Sequence, residues 1–194
     1  MAVPAILYIH GFNSSPQSAK ARQLGEHLAR HHPSVRYAVP ALPNDPARAI
    51  AMLGQAIADL GNPLLLGSSL GGCYATYLAE RHRLRAALVN PAVHPWRLFA
   101  GYLGPQVNHY TGEHWELTTA HVDALRALEV PAISRPQDFL VLLQTGDETL
   151  DWRDAADYYR DCSVLKQVGG SHGFDNFEDV LPLIYRFAGL NPAS

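Results

Sequence analysis

The sequence predicts an α/β fold, a mostly parallel six-stranded sheet with helices on both faces. Two observations predict it. Short apolar runs alternate with amphipathic stretches along the chain, the pattern of strands joined by crossover helices. The first of these runs, Ala5–Ile9, is also apolar throughout rather than at every second residue, as expected of a strand covered on both sides. The 194 residues suit a single domain that buries about 70% of its unfolded surface.

Ala5-Ile6-Leu7-Tyr8-Ile9 is the first such strand, and the polar turn His10-Gly11-Phe12-Asn13-Ser14-Ser15-Pro16 follows it. A helix is expected from about Ser18 to His31, where Ala21, Leu24 and Leu28 recur at helical spacing. Val35–Val39 is the second strand, closed by Pro40. Asp45 and Pro46 form a cap and first turn for a helix whose apolar face is Ile50, Leu53, Ile57 and Leu60, ended by Gly61. Leu64-Leu65-Leu66 then leads into a turn and a helix to about His82, and Ala86–Asn90 is the fourth strand. Beyond the next segment, Phe139–Gln144 is the fifth strand, Asp151–Arg160 a helix, Ser163–Val168 the sixth strand and Asn176–Ala188 the last helix.

The pattern loosens between residues 91 and 136. A short helix is expected at Trp96–Leu103, a polar and aromatic stretch at Gly104–Glu116, and a helix at Thr119–Glu129. A connection this long is more than a loop. It reads as a lid-like insertion within the single domain 1–194, over the carboxyl ends of the strands, where such sheets bind ligands. Its aromatics Trp96, Phe99, Tyr102, Tyr110 and Trp115 either line an acyl pocket or form the segment's own small core. His109, Glu113, His114, Glu116 and His121 match no metal-binding spacing, and a polar surface is expected of them.

Composition narrows the function classes. A net charge of −3 leaves no basic footprint for nucleic acid, and no apolar run reaches the length of a membrane span. Met1-Ala2-Val3-Pro4 carries no positive region, so no signal peptide is expected. Two cysteines, Cys73 and Cys162, make no disulfide framework and point to the cytoplasm. No cofactor and no metal is expected, and the oligomeric state is open.

The chemistry centres on Gly67-Ser68-Ser69-Leu70-Gly71. An apolar strand precedes it and a helix follows, the context that makes G-x-S-x-G the nucleophile elbow of α/β-hydrolases. Gly67 and Gly71 allow strand and helix to pass closely, and the helix start directs its N–H groups at Ser69. A serine needs a base, and the base an orienting carboxylate. His172 lies past the sixth strand among Gly169, Gly170 and Gly173. Past the fifth strand comes Thr145-Gly146-Asp147-Glu148-Thr149-Leu150-Asp151. Asp147 is the preferred acid, Asp151 an alternative better placed to cap the next helix, and Glu148 a third. The order Ser, acid, His at consecutive strand ends is that of α/β-hydrolases. The N–H groups of Phe12 and Leu70 are the expected oxyanion donors, with His10 ordering the Phe12 loop.

Leu7–Pro16, Gly67–Gly72, Asn90-Pro91-Ala92, Leu143–Glu148 and Gly169–His172 together resemble the YqiA-like esterase family, small bacterial α/β-hydrolases, over nearly the whole chain. The resemblance implies a cytoplasmic hydrolase of carboxylic esters or acyl thioesters, with Ser69 as nucleophile, Asp147 as acid and His172 as base. Its pattern is least clear from Trp96 to Arg135, so substrate choice does not follow from it. An amidase or peptidase on the same residues, and a non-catalytic binding protein of this fold, are the alternatives. The expected partner is a small-molecule ester or thioester.

Overall fold

The structure is a computed structural model that describes residues 4–190; the Met1–Val3 stretch of the expected leaderless start lies outside them. Six strands form one sheet: β1 (Ala5–Ile9), β2 (Arg36–Ala38), β3 (Leu64–Ser68), β4 (Ala86–Val89), β7 (Phe139–Gln144) and β8 (Ser163–Gln167). Their order is β2-β1-β3-β4-β7-β8, and every pairing in it is parallel. The chain builds outward from β1 to β2 through α1 (Ala19–His31), then returns through α2 (Pro46–Leu60) to β3 on the other side of β1. The direction of winding thus reverses between β1 and β3. Sheets of this kind bind ligands at the carboxyl ends of the strands, where the winding reverses.

Side-chain alternation divides the core in two. Leu7, Ile9, Leu65, Leu88, Val141 and Leu143 face α2, α3 (Leu70–His82) and α6 (Trp152–Tyr158). Ile6, Tyr8, Leu66, Val89, Leu140 and Leu142 face α1 and α7 (Leu181–Ala188). All of these strand residues are at most 4% exposed, which is why their sequences are apolar at every position. The Asp45 carboxylate caps α2 by accepting from the Arg48 N–H at 2.8 Å, and Asp151 caps α6 by accepting from the Arg153 N–H at 3.0 Å.

Three expectations need correction. The last helix is not continuous from Asn176: residues Phe177–Val180 form a 3-10 turn and the α-helix begins at Leu181. Pro182 is the cause, since it has no N–H to give to a carbonyl four residues earlier. Gly104–Glu116, expected only as a polar and aromatic stretch, has regular structure. It contains an antiparallel hairpin, β5 (Gly104–Val107) with β6 (His114–Leu117), in which Gly104 opposes Leu117 and Val107 opposes His114. The flanking helices are also shorter than expected, α4 covering Pro95–Phe99 and α5 Thr119–Arg126. Each gives way to tighter turns, seen in the bonds Gly101 N–H to Leu98 and Leu128 N–H to Leu125. Phe99, Leu117, Val122 and Leu125 bury this connection against the α2–α3 face of the sheet.

Candidate active site

Ser69 stands between β3 and α3 with φ 56° and ψ −123°, a conformation that costs of order 1–3 kcal/mol for a residue with a side chain. Its backbone is fixed from three sides. Its N–H donates to the Val89 carbonyl at 3.1 Å, and its own carbonyl accepts from Gly72 at 2.8 Å and Ala92 at 3.0 Å. The flanking glycines are needed for space. A Cβ on Gly67 would lie 2.8 Å from the Ala75 Cβ and against the Gly71 carbonyl. A Cβ on Gly71 would run into the backbone of Ile9 and His10. The close approach at Gly71 is therefore to the end of β1, bringing the His10–Ser14 loop to the serine. Gly11 lies so near that a Cβ there would be 3.2 Å from the Ser69 Cβ.

The ends of β3, β7 and β8 bring Ser69, Asp147 and His172 together. His172 Nδ1 lies 2.8 Å from Asp147 Oδ2 and 2.9 Å from Oδ1. His172 Nε2 lies 3.0 Å from Ser69 Oγ. An ionised carboxylate only accepts, so Nδ1 carries the proton and Nε2 is left to accept from the serine hydroxyl. The Asp147 side chain is 2% exposed and that of His172 22%. Burial pushes the Asp147 carboxyl upward, but the His172 bond and the N–H groups of Leu150 and Thr149 (2.8 and 2.9 Å) outweigh it and hold it below its ordinary value. Asp151 points elsewhere, to Arg153. Glu148 is not beside the ring: its Oε2 accepts from the His172 backbone N–H at 2.9 Å.

The His172 loop is braced by two buried amides. Asn90, 3% exposed, accepts from the Gln144 N–H at 3.0 Å and donates to the Ser171 and His172 carbonyls at 3.0 and 3.3 Å. Gln144, also 3% exposed, accepts from the N–H groups of Ser171 and Asp175 at 3.1 and 2.8 Å and donates to the Asp175 carbonyl at 2.8 Å. Lys20 holds the Gly173 carbonyl at 2.8 Å; burial lowers its pKa, and the charge of Asp147 opposes that. Asn90 and Gln144 were readable from the sequence only as polar residues closing apolar strands, a signal the strand pattern by itself does not rank.

On the other side of Ser69, the N–H groups of Phe12 and Leu70 are uncommitted among the hydrogen bonds of the described residues. His10 is buried, 4% exposed. Its Nε2 accepts from the Leu42 N–H at 3.2 Å, so its Nδ1–H donates to the Gly11 carbonyl at 3.1 Å. Burial lowers its pKa, opposed by that carbonyl. It is thus a neutral tie between the Phe12 loop and the segment after β2. Phe99 and Trp115 pack on the Phe12 ring, with centroids 4.5 and 5.6 Å away, whereas Tyr102 and Tyr110 are exposed. A cavity of about 620 Å³ lies between Val93, His94 and Arg97 on one wall and Thr149, Leu150 and Asp154 on the other; Ser69, Asp147 and His172 are not among its lining residues. Among the described residues, no three His, Cys, Asp or Glu side chains converge as a metal-ligand set, and no helix is long and apolar enough to cross a membrane.

A sheet wound in this order, with a serine on a strained strand-to-helix turn and a histidine and aspartate on two later strand ends, defines the α/β-hydrolase fold. Solved structures of that fold agree. α/β-Hydrolase domain-containing protein 10 from mouse superposes with a TM-score of 0.71 at 14% identity, covering 95% of this chain and 88% of that one. Est1E from Butyrivibrio proteoclasticus, with ferulic acid bound, gives 0.67 at 13%, covering 92% and 84%. The ydeN gene product of B. subtilis gives 0.66 at 14%, covering 96% and 99%. Within the fold, residues 5–189 match the uncharacterised protein family UPF0227, the YqiA-like family, and the chain belongs to it.

Proposed function

We propose that the chain is a serine hydrolase that cleaves carboxylic esters or acyl thioesters through an acyl-enzyme on Ser69. The observation that carries this reading is the two-bond relay from Asp147 through His172 to Ser69. His172 Nε2 takes the hydroxyl proton as Ser69 Oγ attacks the acyl carbonyl. The Asp147 carboxylate stabilises the imidazolium, and the Phe12 and Leu70 N–H groups hold the oxyanion. His172 then protonates the departing alcohol or thiol. Water, activated by the same imidazole, releases the acid and restores the serine. The whole of residues 1–194 acts as one domain in this reading, with residues 91–136 as an insertion over the site. The free thiols of Cys73 and Cys162 suit a reducing cytoplasm.

Fluorophosphonate labelling and turnover of a short p-nitrophenyl ester test this. Wild type should label at Ser69 and turn over the ester, and Ser69→Ala should do neither while remaining folded. Undiminished turnover by Ser69→Ala would refute the proposal. Amide and ester substrates of one acyl group separate an esterase from an amidase on the same residues.

A further inference from the structure

We propose that the β5–β6 hairpin sets the oxyanion hole, with Trp115 and Asn108 as the positioning residues; this rests on the hydrolase reading of Ser69. The loop that offers the Phe12 N–H has no regular structure of its own and runs through Asn13 at φ 48°, a backbone state that needs outside support. Much of that support comes from the insertion. The Trp115 indole N–H donates to Asn13 Oδ1 at 2.9 Å, and Asn108 Nδ2 donates to the Ser14 carbonyl at 3.0 Å. The Phe12 ring is held against Phe99 and Trp115. The two residues after Phe12 are thus gripped by the hairpin, and Phe12 itself is clamped by its side chain.

Asn108 is built for the task. It is 6% exposed, and its Oδ1 is occupied by the N–H groups of Tyr110 and Thr111 at 2.9 and 3.3 Å. One amide therefore fixes the hairpin turn and ties it to the oxyanion loop. Trp115 is steadied in turn by the edge of the His121 ring, 5.5 Å between centroids, and His121 belongs to the capping box that starts α5. The insertion is then a brace whose departure would release an oxyanion donor. A cover that swings clear during turnover would undo the contacts that place Phe12.

The test uses the full chain with Trp115→Phe, which removes the indole donor and keeps an aromatic ring, Asn108→Ala, and the double variant. Glu116→Gln, on an exposed hairpin residue, is the control. Active-site titration with a fluorophosphonate normalises every rate to folded sites. Turnover of p-nitrophenyl acetate is compared with inhibition by an alkylboronic acid, whose tetrahedral adduct on Ser69 places an oxygen in the oxyanion hole. Loss of an oxyanion donor outright lowers kcat by about 10²–10³, so a donor that is merely loosened should lower it on the order of tenfold. The expected result is that drop in kcat per labelled site for each variant, a KM within about twofold of wild type, and boronate affinity weakened by the same factor as kcat. Wild-type kcat and boronate affinity in the double variant would overturn the proposal. So would a loss explained entirely by fewer labelled sites. A wild-type chain that neither labels nor hydrolyses removes the hydrolase reading, and this one with it.

Discussion

Replacing Asp147 by Asn tests which carboxylate orients the base. The Asn oxygen can still accept from the Thr149 and Leu150 N–H groups, now 2.9 and 2.8 Å from Oδ1. Its NH₂ must then face His172 Nδ1, which sits 2.8 Å from Oδ2. Two donors cannot share that bond, so the imidazole changes tautomer and presents Nε2–H to Ser69 Oγ. The base can no longer take the hydroxyl proton. A wrong tautomer of this kind lowers kcat by about 10⁴ in the serine-protease triad, roughly 5 kcal/mol of barrier. The change is nearly isosteric in a side chain 2% exposed, so the fold should persist. The assay is steady-state hydrolysis of a short p-nitrophenyl ester by Asp147→Asn, Glu148→Gln and Asp151→Asn, with circular dichroism as the check on folding. Asp151→Asn should stay within about twofold of wild type, since its side chain serves α6 and Arg153. Asp147→Asn with more than a tenth of wild-type activity, or Asp151→Asn as the inactive variant, would refute the assignment.

Asn90→Ala should lower stability by about 1–3 kcal/mol in urea unfolding, because it strands the buried Gln144 N–H. It should also lower kcat by loosening the His172 loop, and unchanged stability would contradict the bracing role. Ser69→Gly should be more stable than Ser69→Ala by about 1 kcal/mol: it relieves the positive-φ strain and gives back part of that in backbone entropy. Equal unfolding midpoints would mean that no strain is stored there. Acid stability follows from the lowered pKa of Asp147. A carboxyl held lower in the folded state stabilises it above the unfolded value, about 4, and that contribution is lost as the pH falls through the folded value. Asp147→Asn should therefore lose less stability than wild type on acidification below about pH 4, and parallel curves would count against the shift.

The four central strands were legible because both of their faces are buried, so the sequence shows apolar runs such as Phe139–Leu143; β2 and β8, at the sheet edges, are part-exposed and carry polar residues. The relay residues were legible for a related reason. Each lies shortly past the end of a strand, and in a parallel sheet all carboxyl ends share one edge. The hairpin was not legible because only one of its faces is covered. Trp115 and Leu117 turn inward while His114 and Glu116 are exposed, and four-residue strands give too little alternation to separate from a polar loop. The turn glycine, Gly112 at φ 74°, was the available signal. Glu148 shows a different limit. A carboxylate beside Asp147 is chemically eligible, and only the fold shows that it binds the His172 backbone instead of the ring.

The two halves of the candidate site are held by different parts of the molecule, and this bears on how the strain at Ser69 survives. The acid–base half is tied into the sheet itself: Asn90 directly follows β4, Gln144 ends β7, and together they fix the His172 loop. The Ser69 backbone is bonded to the same strand end, through Val89 and Ala92. A relaxation of φ at Ser69 would therefore break bonds to β4 as well as the relay to His172. Several such bonds, each worth about 1 kcal/mol, match or exceed the strain of 1–3 kcal/mol. The Phe12 donor has no comparable bonds to a strand end among the described residues: His10 ties its loop to the segment after β2, and the loop leans on a hairpin outside the sheet. Changes in the insertion should consequently alter the Phe12 side of the site while leaving the Ser69–His172–Asp147 geometry intact. Substitutions at Asn90 or Gln144 should do the reverse.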